Sequence, residues 1–461
     1  MVTEPFDAVA RAATLRGLCG GAVHLPGDPA YDEARLPWNL SVDDRPAAVA
    51  YPALPAEVAE VLRAAGEAGL AVAPQGTGHG APPLSGQLGD AVLLRTSAMT
   101  ELRVDPARRV ARVGAGVLWG DVVVAAGRHG LAALHTTSPG VGVVGSSLGG
   151  GLSWYARHAG LQCSALTAVE LVTADGTFVR ATDDHDADLL WAARGGGGGF
   201  GVVTALEFDL LPLREAYAGM LAWDWSSADR VLRGWRSWAL EAPEEVTTIA
   251  RLLRAPDEPW LPAEVRGRSL VVIDGTVLGD ADRARAILAP LRAMHPEIDT
   301  FETRATGALA DLHLDPEDPT AVYADSLLLD DLPDGAIDGL LAATSPAPGT
   351  GLLFLELRQL GGALGRASAR AGVLDRMPGA FLVLGVGLDE GAGWTAVREQ
   401  MGRTLGSLRE WDSGARYLNM AEGADERRAW SAETAGRLAQ VRRAADPEGL
   451  FVPPRPPGGR T

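Results

Sequence analysis

The stretch that most restricts what this chain can fold into is Ala71-Val72-Ala73-Pro74-Gln75-Gly76-Thr77-Gly78-His79-Gly80. Apolar spacing over 56–68 predicts a helix that leads into a short strand, and the strand runs into three glycines around one histidine. Glycine tolerates positive φ and lets the backbone approach a ligand, so the N–H groups of such a loop can wrap an anion such as a pyrophosphate. The spacing Gly76-x-Gly78-x-x-Ala81 also fits a nicotinamide-type dinucleotide turn, which needs a helix to begin at its last small residue. Pro82, Pro83 and Ser85-Gly86 follow instead and read as extended loop, which disfavours that turn. The expectation is a different dinucleotide loop, with a histidine held against the ligand.

Two absences narrow the chemistry. The 461-residue chain has no lysine, so all 41 basic residues are arginine. That excludes a Schiff base, a pyridoxal phosphate linkage and the P-loop lysine. Cys19 and Cys163 are the only cysteines and form no C-x-x-C, too few for a disulfide framework or a zinc site. The acidic run Asp183-Asp184-His185-Asp186 reads as a solvated turn, because consecutive side chains cannot all face one ion. No metal site is expected. A net charge of −18 without a basic cluster argues against nucleic acid and against an anionic membrane as partners. With no leader-like N-terminus and no apolar run of membrane-spanning length, the chain reads as cytoplasmic.

The pattern along the chain predicts two α+β domains. Strands are expected at 91–95, 110–113, 168–173 and 202–211, with a helix at 118–126. Glycine density peaks at 142–151 and 195–201, which points to close ligand approach. After Pro212 the texture changes. Helices at 227–241, 281–294 and 394–409 alternate with apolar strands at 246–253, 270–277, 352–357 and 381–386. That alternation predicts a mixed or antiparallel sheet backed by helices. Residues 1–213 form the first domain, 214–409 a substrate domain, and 410–461 a segment returning to the first domain. A last helix is expected at 429–445, and the proline-rich tail 453–461 should be poorly ordered.

Several motifs acquire meaning in this order. Gly76-Thr77-Gly78-His79 is followed by Ser138-Pro139-Gly140-Val141-Gly142-Val143-Val144-Gly145 and Gly149-Gly150-Gly151. Leu189-Leu190-Trp191-Ala192, Arg194 to Gly198 and Phe200-Gly201-Val202-Val203-Thr204 come next, and Tyr417-x-Asn419 and Asp446-Pro447-x-Gly449-x-Phe451 close the series. Together they resemble the FAD-linked oxidases of the vanillyl-alcohol oxidase superfamily, in its berberine-bridge-enzyme-like branch. The resemblance runs from about Trp38 to Phe451 and is strongest over 45–213.

It implies a PCMH-type FAD-binding domain whose cofactor is FAD. Gln75, Gly76, Thr77, Gly78, His79 and Gly80 would hold the pyrophosphate side, with His79 joined covalently to the flavin. Thr137, Ser138, Pro139, Gly142, Gly145, Ser146, Gly149 and Gly150 would line the ring. Gly201 and Val203 would lie near the adenine and ribose, and Asn419 near the flavin. Some members add a cysteine link where this chain has Ser138, so a single attachment is implied. Ser146 stands where relatives often carry His or Tyr, Gly199 replaces a more usual Asn, and Met420 replaces a Tyr.

Two residues are catalytic candidates, Tyr417 as what the resemblance implies and Glu356 also on its own pattern. Alternation over Leu352-Leu353-Phe354-Leu355-Glu356-Leu357-Arg358 puts Leu352, Phe354, Glu356 and Arg358 on one strand face. A carboxylate among apolar neighbours should have a raised pKa suited to a general base, unless Arg358 pulls it back. His135 is expected to be either a pocket residue or a locally satisfied histidine, and Cys163 a core residue. The activity that the resemblance implies takes hydride from a small alcohol, amine or activated C–H to flavin N5, in secondary metabolism. Dioxygen would be the second substrate and hydrogen peroxide the product. A flavin-dependent oxygenase or cyclase, and a non-catalytic flavin-binding protein, are the alternatives.

Overall fold

The computed structural model describes residues 5–344, 351–370, 372–422 and 429–452. The tail at 453–461 lies outside them. Three sheets organise the chain. A four-stranded sheet runs in the order Val23–His24, Ala48–Ala50, Ala91–Arg95, Ala71–Gln75, with the last three strands parallel. The helix Pro55–Glu67 buries Val58, Val61, Leu62 and Ala65, the 3-4 spacing that the sequence carries. Its crossover delivers the strand Ala71–Gln75, whose end releases the glycine loop.

A five-stranded antiparallel sheet follows, ordered Leu102–Asp105, Val110–Gly114, Val202–Asp209, Leu166–Val172, Phe178–Ala181. One core spans both sheets, from Leu62 and Val72 to Trp119, Phe200 and Phe208. The chain returns to this half at its end. The N–H of Val72 donates to the carbonyl of Leu450 at 2.8 Å, and the helix Ala432–Ala445 packs on the helix Ala187–Ala193.

The third sheet is antiparallel and has eight strands. Glu215–Asp224, Ser269–Val277, Val246–Arg254, Leu352–Gln359, Phe381–Gly387 and Tyr323–Leu329 follow one another across it. Four helices, Ala228–Glu241, Ala281–Arg292, Asp334–Ala343 and Trp394–Gly406, back it. The first presents Ala228, Val231, Leu232, Trp235 and Ala239 as one buried stripe. Each aliphatic side chain removed from water there contributes about 1.5–3 kcal/mol. The Trp235 indole N–H donates to Thr248 at 3.1 Å, so its polar edge is satisfied inside the core.

The structure adds to the sequence reading in two places and corrects it in one. The glycine-rich run 138–151 is not all loop, because Val143–Leu148 forms a helix whose Val143, Val144, Ser147 and Leu148 are buried. The strands Glu215–Asp224 and Tyr323–Leu329 and the helix Asp334–Ala343 carry too little contrast in the sequence to be anticipated. Finally, a register shift between Leu352 and Phe354 moves Leu352 to the helix side, with Leu355 and Leu357. Phe354, Glu356 and Arg358 remain on the opposite face, toward the glycine loops.

Candidate functional site

A cavity of about 500 Å³ lies between the first two sheets and the open face of the third. One side is backbone. The loop 76–80 reaches it because Gly78 takes φ +87°, and a Cβ there would stand 2.5 Å from the Cβ of Pro37. Pro37 is followed by Trp38, whose N–H donates to the Thr77 carbonyl at 2.8 Å. This brings the Trp38 ring onto His79, with centroids 4.2 Å apart and planes 12° from parallel. Trp38 and His79 lie 41 residues apart, and no local pattern signals that stack.

Thr77 Oγ1 lies 2.8 Å from His79 Nδ1, leaving Nε2 as the other ring nitrogen in this cavity-lining residue. Burial pushes the His79 pKa down to about 4, so the imidazole is neutral at ordinary pH. Further along, Gly195, Gly197 and Gly199 take positive φ in alternation with Gly196 and Gly198. Arg442 Nε donates to the Gly198 carbonyl at 2.8 Å, and its other arm donates to that of Gly196 at 2.9 Å. Alternating backbone of this kind gathers N–H groups on one side, which favours an anion.

The segment Tyr417–Asn419 locks against the helix Val143–Leu148. Asn419 Nδ2 donates to the Ser146 carbonyl at 2.8 Å and lies 3.2 Å from the Tyr417 hydroxyl. That hydroxyl also accepts the Gly151 N–H at 2.9 Å. Gly149 must lack a side chain, since a Cβ would stand 1.7 Å from Asn419 Oδ1. Burial raises the Tyr417 phenol to about 12, so it stays protonated.

The other side is a buried charge network on adjacent strands. Arg251 sits directly across from Glu356 in the sheet, and Asp274 and Arg358 are both paired with Ile249 in neighbouring strands. Arg251 pairs with Asp274, and Arg358 Nε donates to Glu356 Oε1 at 2.6 Å. The other end of Arg358 comes 3.4 Å from the Thr137 hydroxyl. From the connection ahead of the strand Tyr323–Leu329, His313 drops into this face. Its Nε2 lies 3.1 Å from Glu356 Oε2 and its Nδ1 2.7 Å from Asp315 Oδ1.

Most expected site residues line the cavity: Gln75 to Gly80, Thr137, Ser138, Gly142, Gly145, Ser146, Gly149, Gly201, Val203, Tyr417 and Asn419. Pro139, Gly150 and Glu356 are not among its lining residues. The Pro139 carbonyl accepts the Gly120 N–H at 3.0 Å, and its ring covers Gly120. Gly150 sits behind Tyr417, where a Cβ would meet the ring at 2.8 Å. Glu356 is fully buried with both oxygens engaged. Burial alone would raise its pKa, but Arg358 and His313 overcome this and hold it at about 2, the outcome left open for Arg358 rather than the raised value suited to a base. The carboxylate that does line the cavity is Asp315, and His313 and Arg358 line it too. Sequence reasoning missed His313 and Asp315. His135 is buried outside the lining, with Nδ1 on the Thr136 carbonyl at 2.7 Å. Cys163 is buried in an apolar cluster, and Asp183 pairs with Arg194.

The walls suit a flat, anionic dinucleotide. At Gly145, which lines the cavity, an added Cβ would meet no atom within 4 Å and would take up open space. A family model described as an FAD binding domain matches residues 46–182, the part that supplies the first two glycine loops. (R)-6-hydroxynicotine oxidase of Paenarthrobacter nicotinovorans is 34% identical over 204 residues, 44% of either chain. The crystal structure of 6-hydroxy-D-nicotine oxidase from Arthrobacter nicotinovorans superposes with a TM-score of 0.81 at 26% identity, covering 93% of this chain and 96% of that one. The BBE-like 1 protein of Physcomitrella patens shares the fold over 100% of both chains, with a TM-score of 0.82 and 21% identity.

Fold and cavity thus define an FAD-binding protein of the PCMH type. Over residues 46–182 the chain is similar to the FAD binding domain family, and its overall fold is that of 6-hydroxy-D-nicotine oxidase and of the BBE-like 1 protein. Alignments with the curated relatives span about half of those relatives' own length.

Proposed function

We propose that this protein is an FAD-dependent oxidase that takes two electrons from a small organic substrate, an alcohol, an amine or an activated C–H, and passes them to dioxygen with release of hydrogen peroxide. The observation that carries this reading is the two-sided cavity, with side-chain-free backbone on one wall and a charged, hydrogen-bonding face on the other. The bound flavin supplies the hydride acceptor that no side chain provides.

The chain's own residues do the rest. The loop 76–80 and the glycines at 142, 145 and 195–199 hold the cofactor through backbone. His79, kept neutral by burial, is the residue that carries the covalent bond to FAD. Asp315 meets a substrate O–H or N–H as an ionised acceptor, and Tyr417 offers its hydroxyl proton as a donor. Leu353, Phe354, Leu384 and Val386 close the substrate side against water, which strengthens these polar contacts.

The experiment is direct. Purified protein should be yellow, and its denatured band should fluoresce under ultraviolet light in the wild type but not in His79→Ala. Anaerobic substrate should bleach the band near the visible maximum, and air should restore it with one peroxide per substrate. Colourless folded protein that refuses added FAD would sink the proposal. Labelled oxygen in the organic product would replace the oxidase by an oxygenase.

A further inference from the structure

His313 has an environment that fixes its charge by geometry. Each of its ring nitrogens faces a carboxylate oxygen, Asp315 at 2.7 Å and Glu356 at 3.1 Å. An ionised carboxylate can only accept, so both nitrogens must carry hydrogen and the ring must be an imidazolium. We propose that His313 is a positioning residue, a cation clamped between Asp315 and Glu356 that fixes Glu356 and, through it, holds Arg358 at the cavity wall beside Thr137. This rests on the reading of the cavity as the active site.

Charged groups from four segments surround the ring. From the strand Val246–Arg254 comes Arg251, which donates to the His313 carbonyl at 3.0 Å. From Ser269–Val277 comes Asp274, paired to Arg251. From Leu352–Gln359 come Glu356 and Arg358, and from its own segment Asp315. The remaining ring neighbours, Trp154 and Phe354, are uncharged. With all six groups ionised, three cations face three anions, and the balance includes the His313 proton. Burial and Arg251 oppose that proton, but Asp315 and Asp274 outweigh them and raise the pKa to about 9. Loss of the proton would set a ring lone pair against a buried carboxylate, an arrangement far costlier than an exposed broken pair. Glu356 would then be held by Arg358 alone, and Arg358 would be free to leave Thr137.

The test uses holoenzyme labelled with 15N-histidine. Among the eight histidines, one ring should stay doubly protonated at pH 8 and titrate near 9. His313→Gln should remove that signal, and Asp315→Asn should lower its midpoint. The visible flavin band should shift with the same midpoint in wild type, lose that shift in His313→Gln, and carry it to higher pH in His313→Lys. Folding stability should fall on the order of a hundredfold in equilibrium constant from pH 6.5 to 9.5 in wild type and stay flat in His313→Gln. If the variants do not fold, the wild-type titration decides. No ring with a midpoint above 8 overturns the proposal, and a flavin band blind to the titration overturns its positioning half. Colourless protein would instead remove the functional reading and leave the histidine signal in place, so the two failures are distinguishable.

Discussion

The two walls of the cavity are built on opposite principles. The glycine wall, residues 76–80, 142–151 and 195–201, works by leaving side chains out, and its contacts are close approaches of backbone. The sheet wall works by burying charge. Glu356 and Asp274 are fully buried, and His313, Arg251 and Arg358 nearly so. The first wall is closed to added volume at Gly78, Gly149 and Gly195 and open at Gly145, and it carries little electrostatic strain. The second depends on every buried charge keeping its partner.

Glu356→Ala should be the most damaging single change, because it strands His313 and Arg358 together. A loss of about 3–5 kcal/mol is expected for uncompensated buried charge, read as the shift in denaturant midpoint. A loss below 1 kcal/mol would mean that water enters the network and that the two walls differ less than their burial implies. Gly78→Ala should come next, at about 2–4 kcal/mol, since it combines positive φ with a contact of 2.5 Å to Pro37. Its flavin content should fall with stability, whereas Glu356→Gln should keep the flavin.

Acid should weaken the sheet wall through its carboxylates and the glycine wall through His79, over different pH ranges. Asp315 and Glu356 both titrate at about 2 in the folded protein, below their ordinary values. Their contribution is therefore complete above about pH 4.5 and is lost as pH falls toward 2. A Glu356→Gln, Asp315→Asn double variant should show a flatter acid limb in thermal unfolding. His79 should respond in the opposite place. With its pKa near 4, the extent of covalent flavin should be constant from pH 5 to 9, measured as fluorescence of the denatured band. Smallest of all, Arg366→Ala removes an exposed pair with Glu244 and should cost less than about 1 kcal/mol.

The glycine wall was legible because backbone-built sites write themselves into contiguous sequence. The residues within Gly76-Thr77-Gly78-His79, and those within Gly149-Gly150-Gly151, are consecutive in the chain. Even so, the helix Val143–Leu148 was hidden, since its glycine and serines have poor helix propensity and its stability comes from buried Val143 and Val144. The strand carrying Glu356 was legible too, but its consequence was not. Apolar neighbours in sequence argue for a raised pKa and Arg358, two residues on, argues against it, while His313, the second group that holds it down, lies 43 residues away. The register shift after Leu352 likewise has no signature in the alternation itself.

What the sequence determined alone was the kind of ligand this chain can hold and the alternation of elements that folds around it. Glycine spacing and hydrophobic period are local properties, fixed by the backbone freedom and the burial of consecutive residues. What the tertiary structure decided was protonation: a neutral His79 under Trp38, an ionised Glu356 and a charged His313. A group's charge depends on the field of everything within a few ångströms, and strand pairing, not chain order, chooses those neighbours.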